Sequence, residues 1–539
     1  MTSGAPGSPR GAASPPVASG DADAGAPGAY FGHGGAAVRV LPHGRGHAVA
    51  VIGVGYVGLP TAATLAHLGH RVVCADVDPA KVALLQTGEV PFVEDRLGEL
   101  VREGLAAGRL QFVTGASAAV GGAEFVFLCV PTPQGEDGAA DLSYVEAVAA
   151  EIAPHLAPGS VIVNKSTVPV GSTLVVERVL GRRDVTVVSN PEFLREGTAV
   201  SDSLHPERIV VGAEDQAAAA RVGELFAGTH APLLITDAAT AETIKYASNA
   251  FLATKLSFIN AVAGLCEAVG ADVRDVILGL GYDKRIGFEY LRPGPGWGGS
   301  CLPKDTRALA HIADQAGYDF SFLRGAIATN EQQFERVVDK VASAIGRGAG
   351  SGRAGRVAAE GLAGARAAEG LAGARAAEGL AGARAAEGLA GARAAEGLAG
   401  AVVAVWGLTF KAGTDDLRNS PSVEVVRRMV AAGATVRAFD PTVAVPPEAE
   451  SVPVQGLLSD VDGVDRALDG AVRAFPDAYA ACQGADAVVV LTEWDEFRWL
   501  DFADVRVRLA SPTIVDARNL LDPAQLRRLG FDYTGIGRR

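Results

Sequence analysis

Four short stretches of this chain combine reactive residue types at spacings a folded backbone can use. The first is Gly298-Gly-Ser-Cys301-Leu-Pro-Lys304-Asp305, a cysteine in a glycine-rich loop with a cation and a carboxylate close behind. A cysteine attacks as its thiolate, which Lys304 can favour, while Asp305 can carry a proton. Taken alone, the string suits an inert buried cysteine equally well. The second is Lys245-Tyr-Ala-Ser-Asn249, whose spacing puts Lys245 and Asn249 on one helix face, able to meet one substrate oxygen. A solvated face has the same spacing. The third, Asn190-Pro-Glu192-Phe-Leu-Arg-Glu196-Gly, follows a strand and can place an acid or base in a cleft, or serve as an ordinary loop. The fourth is Gly53-Val-Gly55-Tyr-Val-Gly58 between an apolar strand and a helix, with Asp76 ending the next strand. Its glycines permit a tight turn and close backbone approach to a pyrophosphate, whose charge faces the helix N-terminus. Asp76 would bind ribose hydroxyls and repel a 2′-phosphate, which points to NAD rather than NADP.

These stretches need a scaffold, and the hydrophobic pattern supplies one. Residues 47–240 alternate helical segments with Val/Ile-rich runs at Ala48–Val51, Arg71–Ala75, Phe125–Val130, Val161–Asn164 and Val185–Ser189. Such alternation predicts βαβ units around a parallel sheet. Residues 241–345 read as a helical domain. The alternation resumes at Val402–Trp406, Thr435–Phe439, Ala487–Leu491 and Thr513–Val515, within 402–539. The expected fold is therefore α/β, with two doubly wound, Rossmann-like domains joined by helices. The second lacks the glycine fingerprint but carries Gly407, Lys411, Asp415, Asp416 and Arg418 after its first strand. There, cationic side chains would have to hold the phosphates of a ligand.

Composition narrows the function classes. The 539 residues include 48 basic and 62 acidic side chains, a net charge of −14, which argues against a nucleic-acid partner. At 48% hydrophobic, the chain has material for sizeable cores. Glycine is abundant, 67 residues, and much of it lies in two low-complexity segments. Residues 1–46 have few large apolar side chains to offset ordering entropy and are expected to be disordered. Within 346–401 the unit Ala-Ala-Glu-Gly-Leu-Ala-Gly-Ala-Arg runs four times from Ala358 to Arg393, and a fifth copy breaks off at Ala401. Its leucines would alternate between helix faces, and each glycine costs about 1 kcal/mol in a helix. An in-frame expansion tolerated in a surface loop fits better than a binding arm. The five cysteines are too few and too odd in number for a disulfide framework, which points to a reducing compartment. Cys74 and Cys129 lie in apolar strands and read as inert core. No basic stretch leads into an apolar one at the start, and the apolar window Ala48–Gly69 is broken by Gly53, Gly55, Gly58, Pro60 and His67. A cytoplasmic protein without membrane or metal partners is expected.

Taken together, VIGVGYVGLP, FLCVPTP, NKSTVPVGS, NPEFLREGTAV, ETIKYASNAFLATK, PGWGGSCLPKD, GLTFKAGTDDLRNSPS and TEWDEF resemble the nucleotide-sugar dehydrogenase family. The resemblance covers about 47–345 and 402–539. It implies a two-step, four-electron oxidation of a sugar C6 alcohol to a carboxylate with NAD. Cys301 would attack the intermediate aldehyde and become a thioester; Glu192, with Thr167, would activate the hydrolytic water. Lys245 and Asp305 would manage the alcohol proton, and Asn249 would stabilise the oxyanion. Gly53, Gly55, Tyr56, Val57, Gly58, Asp76, Lys81, Thr132, Thr167, Glu196, Lys304 and Arg418 would hold the cofactor. Phe193, Leu194, Tyr290, Leu291, Arg292, Gly298 and Lys411 would line the sugar-nucleotide site, with Glu192, Lys245 and Asn249. Arg285, counted with them, would lie with Arg418 near the interface of a homodimer or larger oligomer. Arg208 in PERIVVG and the TEWDEF string look like the branch acting on UDP-glucose. Relatives oxidising GDP-mannose share GGSCLPKD, and those acting on N-acetylhexosamines usually lack FLREG. Two other classes are weighed. A two-electron hydroxyacid dehydrogenase has no use for Cys301, and an NAD-binding scaffold has no use for Lys304 and Asp305 beside it.

Overall fold

Short buried runs of β-branched residues set the architecture, because such runs satisfy their backbone only by pairing side by side. The computed structural model describes residues 38–39, 46–135, 139–349, 397–454 and 470–538. The expected tail at 1–46 and insertion at 346–401 lie outside these apart from 38–39, 46, 346–349 and 397–401. The first sheet contains β1 (Val38–Arg39), β2 (Ala48–Ile52), β3 (Arg71–Asp76), β4 (Leu110–Thr114) and β5 (Phe125–Leu128). It continues with β6 (Val161–Asn164), β7 (Thr186–Ser189), β8 (Ile209–Gly212) and β9 (Leu233–Thr236). Their order is β1-β9-β8-β7-β6-β5-β2-β3-β4. Pairing is parallel except between β1 and β9 and between β7 and β8. Every residue of β5, β6 and β8 is buried, and two apolar clusters cover the two faces of the sheet.

The second sheet comprises β10 (Val402–Trp406), β11 (Thr435–Phe439), β12 (Val452–Pro453), β13 (Val472–Ala474), β14 (Ala487–Val490), β15 (Thr513–Asp516) and β16 (Asp532–Gly535). Its order is β12-β13-β11-β10-β14-β15-β16, with only β12 antiparallel to its neighbour. Around their first strands both sheets follow the doubly wound order, which opens a crevice where the winding reverses: between β2 and β5, and between β10 and β14.

Among the described residues four helices lie between the sheets: Ala238–Val269, Val273–Gly281, Leu302–Gln315 and Ser321–Ala349. The longest, Ala238–Val269, starts on an Asp237 cap and stops at Gly270, whose left-handed backbone (φ +74°) suits glycine. At 32 residues it spans about 48 Å. By length and apolar content it could cross a membrane, yet it packs against the Leu302–Gln315 and Ser321–Ala349 helices. Its buried side carries Lys245, Asn249 and Asn260, each engaged by a polar partner.

Candidate functional site

The glycine turn after β2 is shaped by contacts no side chain could make. Gly53 has φ +93°, and a Cβ on Gly58 would stand 1.8 Å from the Gly53 carbonyl oxygen. Around Gly55, by contrast, a Cβ would meet nothing within 4 Å, so the turn presents bare backbone to open space. At the end of β3, Asp76 accepts the Val54 amide at 3.1 Å and lies 3.4 Å from Lys81 Nζ. Thr132 donates its hydroxyl to the Thr167 carbonyl at 2.8 Å, tying the loops after β5 and β6 together. A helix N-terminus behind an uncluttered turn, with one carboxylate at the next strand end, fits a dinucleotide.

The reactive side chains converge beyond that turn. Lys245 Nζ donates to Glu192 Oε1 at 2.6 Å, and both side chains are 4% exposed. The other Glu192 oxygen accepts the Leu194 amide at 2.6 Å. Burial opposes the Glu192 charge, but Lys245, the Leu194 amide and Lys165 outweigh it and hold the carboxyl below its usual range. Burial likewise opposes the Lys245 charge, and Glu192, Cys301 and Asp305 overcome it, so the ammonium persists. One turn along the helix, Asn249 Nδ2 donates to Asp305 Oδ2 at 2.5 Å, and Lys304 Nζ donates to Oδ1 at 2.6 Å. Lys245 and Asn249 therefore share a face, as their spacing predicts, but engage two different carboxylates.

Cys301 stands at the N-terminus of the Leu302–Gln315 helix, its Sγ 3.6 Å from Ser300 Oγ. Ser300 donates onward to Glu196 Oε1 at 2.7 Å. The influences on this sulfur oppose one another. Burial pushes the Cys301 thiol up, and Lys245 and Lys304 do not reverse it, in part because Glu192 and Asp305 oppose them. Lys304 is bonded to Asp305, so it does not serve the sulfur alone. Burial first, and then Asp416, push the Glu196 carboxyl up to about 8.

The second sheet closes this site. The Gly299 amide donates to Asn419 O at 3.0 Å, and a Cβ on Gly298 would meet that oxygen at 2.1 Å. Tyr56 donates to Asp415 Oδ1 at 3.1 Å, while the Arg418 guanidinium lies 4.9 Å over its ring. Arg418 is bound through two nitrogens to Asp416 and reaches Glu196 at 3.5 Å. Lys411 is half-buried, and burial lowers its affinity for a proton. Arg208 covers the Phe193 ring at 3.7 Å. Leu291 is buried, and Tyr290 beside it has a left-handed backbone at φ 60°. Val57 caps the helix behind the glycine turn. Arg285 is not brought to this cluster: its side chain is 89% exposed and pairs with Asp283. Arg292 is exposed. Sequence reasoning did not single out Ser300, nor the buried Lys165, whose Nζ donates to Asn190 Oδ1 at 3.2 Å near Glu192. The one signal in the sequence is their place inside NKSTVPVGS and PGWGGSCLPKD.

Comparison with known proteins gives this arrangement a family. Residues 47–230 match the NAD binding domain of the UDP-glucose/GDP-mannose dehydrogenase family, 239–332 its central domain and 404–523 its UDP binding domain. The chain belongs to this family. A UDP-glucose 6-dehydrogenase of Pseudomonas aeruginosa is 40% identical over 501 residues, covering 91% of this chain and 97% of that protein. One from Bacillus subtilis is 38% identical over 495 residues, 91% and 93% of the two chains. Among solved structures, a UDP-glucose dehydrogenase of Pyrobaculum islandicum superposes with a TM-score of 0.72 at 32% identity, covering 93% of this chain and all of that one. Family membership makes the protein an NAD-dependent oxidoreductase with a sugar-nucleotide substrate.

Proposed function

We propose that the protein oxidises the C6 alcohol of UDP-glucose to the carboxylate of UDP-glucuronate, consuming two NAD. The observation that carries this reading is the convergence of a cysteine, a buried lysine–glutamate pair and an asparagine–aspartate pair at the junction of the two sheets. An alcohol dehydrogenase that stopped at the aldehyde would need no thiol; oxidation to an acid gains from a covalent thioester. The two relatives named above, both UDP-glucose 6-dehydrogenases, support this sugar nucleotide.

Gly53, Gly55 and Gly58 would receive the pyrophosphate and Asp76 the ribose, while Thr132, Thr167, Glu196 and Lys304 would face the rest of NAD. When bound, NAD supplies the two-electron acceptor for each of the two oxidations. The chain's own residues do the acid–base work. Asp305 takes the proton of the C6 hydroxyl. Lys245 stays charged and, with the Asn249 amide, stabilises oxygen when it is anionic. Cys301 forms the carbon–sulfur bond at the aldehyde stage. Glu192, ionised and fixed by Lys245 and Leu194, orients the water that hydrolyses the thioester.

We place a second copy of the chain on the outer face of the Ala238–Val269 helix. Phe251, Phe258 and Leu265, seven residues apart, are each more than half exposed there, which suits apolar self-association. Arg285 would meet the substrate from across that interface. A cytoplasmic setting suits the thiol chemistry, and all five cysteines are unbridged.

The test is stoichiometric. Each UDP-glucose should yield two NADH and one UDP-glucuronate by mass spectrometry, faster than GDP-mannose or UDP-N-acetylhexosamines, and Cys301→Ser should form no acid. One NADH per sugar, or full turnover by Cys301→Ser, overturns the thioester reading.

A further inference from the structure

The Cys301 thiol has to lose its proton as sulfur attacks, and burial makes that harder. The groups facing it are Glu192, Lys245, Lys304 and Asp305. None is a free base. Glu192 is held ionised by Lys245, Lys245 is held protonated, and Asp305, bonded to Lys304 and Asn249, is the base already given the proton of the C6 hydroxyl. Ser300, next in the chain, opens another direction: its Oγ lies 3.6 Å from Sγ and 2.7 Å from Glu196 Oε1. The second Glu196 oxygen is buried and receives no donor among the described residues, and the Asp416 carboxylate beside it favours a proton on Glu196.

We propose that Ser300 and Glu196 form a proton outlet for Cys301. As sulfur bonds to a carbonyl carbon, the carbon–oxygen π bond breaks and the oxygen becomes an anion. The thiol proton passes to Ser300 Oγ while the Ser300 proton passes to Glu196, which ends as the neutral acid. Charge is conserved, having moved from one carboxylate to the new alkoxide, where Lys245 and Asn249 lie. Ser300 touches the reacting atom; Glu196 is a positioning residue that acts through it. A base matched to this work titrates near the operating pH. Glu196 does so at about 8, because burial and Asp416 raise it while Ser300 and Arg418 pull it down. Lys411 and Tyr56 also face it. Only the ionised carboxylate accepts, so attack should speed up as pH rises through that value.

The proposal rests on Cys301 as the nucleophile but not on the identity of the sugar, so it is tested without one. p-Nitrophenyl acetate acylates a thiol at a carbonyl carbon, and released nitrophenolate reports the rate in cofactor-free enzyme, with Cys301→Ser as the blank. The other four cysteines are buried, so iodoacetamide reads the Cys301 thiolate alone. In Ser300→Ala and Glu196→Gln, acylation at pH 8.5 should fall about a hundredfold, the low end of general-base gains. The inflection near pH 8 should vanish. Alkylation should stay near wild type in Ser300→Ala and rise in Glu196→Gln, which removes a negative charge. Acylation at or above the wild-type rate in both variants overturns the outlet, as does a parallel fall of acylation and alkylation, which would mark a distorted loop. An enzyme that acylates as expected yet forms no NADH from UDP-glucose would refute the substrate reading and leave the outlet standing.

Discussion

Lys245→Met isolates the buried ion pair. Met keeps much of the apolar stem, so the main change is that Glu192, with a side chain 4% exposed, loses its cation. Removing one partner of a buried pair costs about 3–5 kcal/mol because the remaining charge is uncompensated. Here the cost has a ceiling, since Glu192 can escape by taking a proton. An ordinary glutamate titrates near 4.3, and each pH unit is worth 1.36 kcal/mol, so protonation at pH 7 costs about 3.7 kcal/mol. The Leu194 amide and Lys165 still favour the anion and trim this, leaving a loss of about 3 kcal/mol at pH 7. In wild type the Glu192 carboxyl lies below its unfolded range, so its stabilisation is present above that range and fades only as pH falls through the folded value. In the variant the carboxyl lies above its unfolded range, so its penalty shrinks as pH falls toward 4.3. At pH 5 the ceiling is about 1 kcal/mol. Urea midpoints of the two proteins at pH 5, 6 and 7, without NAD, should therefore converge toward acid. Lys245→Met with Glu192→Leu should recover most of the loss, because two apolar groups replace two charges. A deficit that does not change between pH 5 and 7, or one below about 1 kcal/mol at pH 7, would refute Glu192 as a buried charge held by Lys245.

Two further substitutions test the cofactor end. Gly58→Ala sets a Cβ against the Gly53 carbonyl, so the turn must open; calorimetry should show NAD binding weakened at least tenfold, with an overpacking penalty of about 1–3 kcal/mol in stability. Unchanged NAD affinity would contradict the turn as the pyrophosphate cradle. Asp76→Ala releases Lys81 from its partner at 3.4 Å and removes the charge that repels a 2′-phosphate, so the NADP-to-NAD ratio of kcat/KM should rise roughly tenfold. A ratio that stays put would assign cofactor choice elsewhere.

The parts of the fold legible in the sequence are those where one face rule suffices. Val161–Asn164, Val402–Trp406 and Thr435–Phe439 form at the predicted residues, since continuous or alternating apolar runs leave little choice of boundary. Leu110–Thr114 and Asp532–Gly535 escaped notice. They lie at or near sheet edges, where alternate residues face water and the apolar signal thins out. In the site, residue types were readable but partnerships were not. The four-residue spacing of Lys245 and Asn249 fixes a shared face, whereas the carboxylates they reach, Glu192 and Asp305, lie 53 and 56 positions away. Those pairings depend on how the long helix seats against two distant loops. Ser300 gains meaning only from its contacts with Glu196 and Cys301, and Lys165 only from its burial, neither of which a polar residue in a loop string announces.

The seating of Gly298 and Gly299 against Asn419, Pro421 and Phe410 has an evolutionary corollary. The backbone of one domain is the mould in which the other's nucleophile loop is cast, with no space for even a methyl group between them. Neither segment can drift alone. A chimera that takes its last domain from a relative should work only if the imported stretch equivalent to 410–421 keeps the same relief, or if both segments are exchanged as one unit.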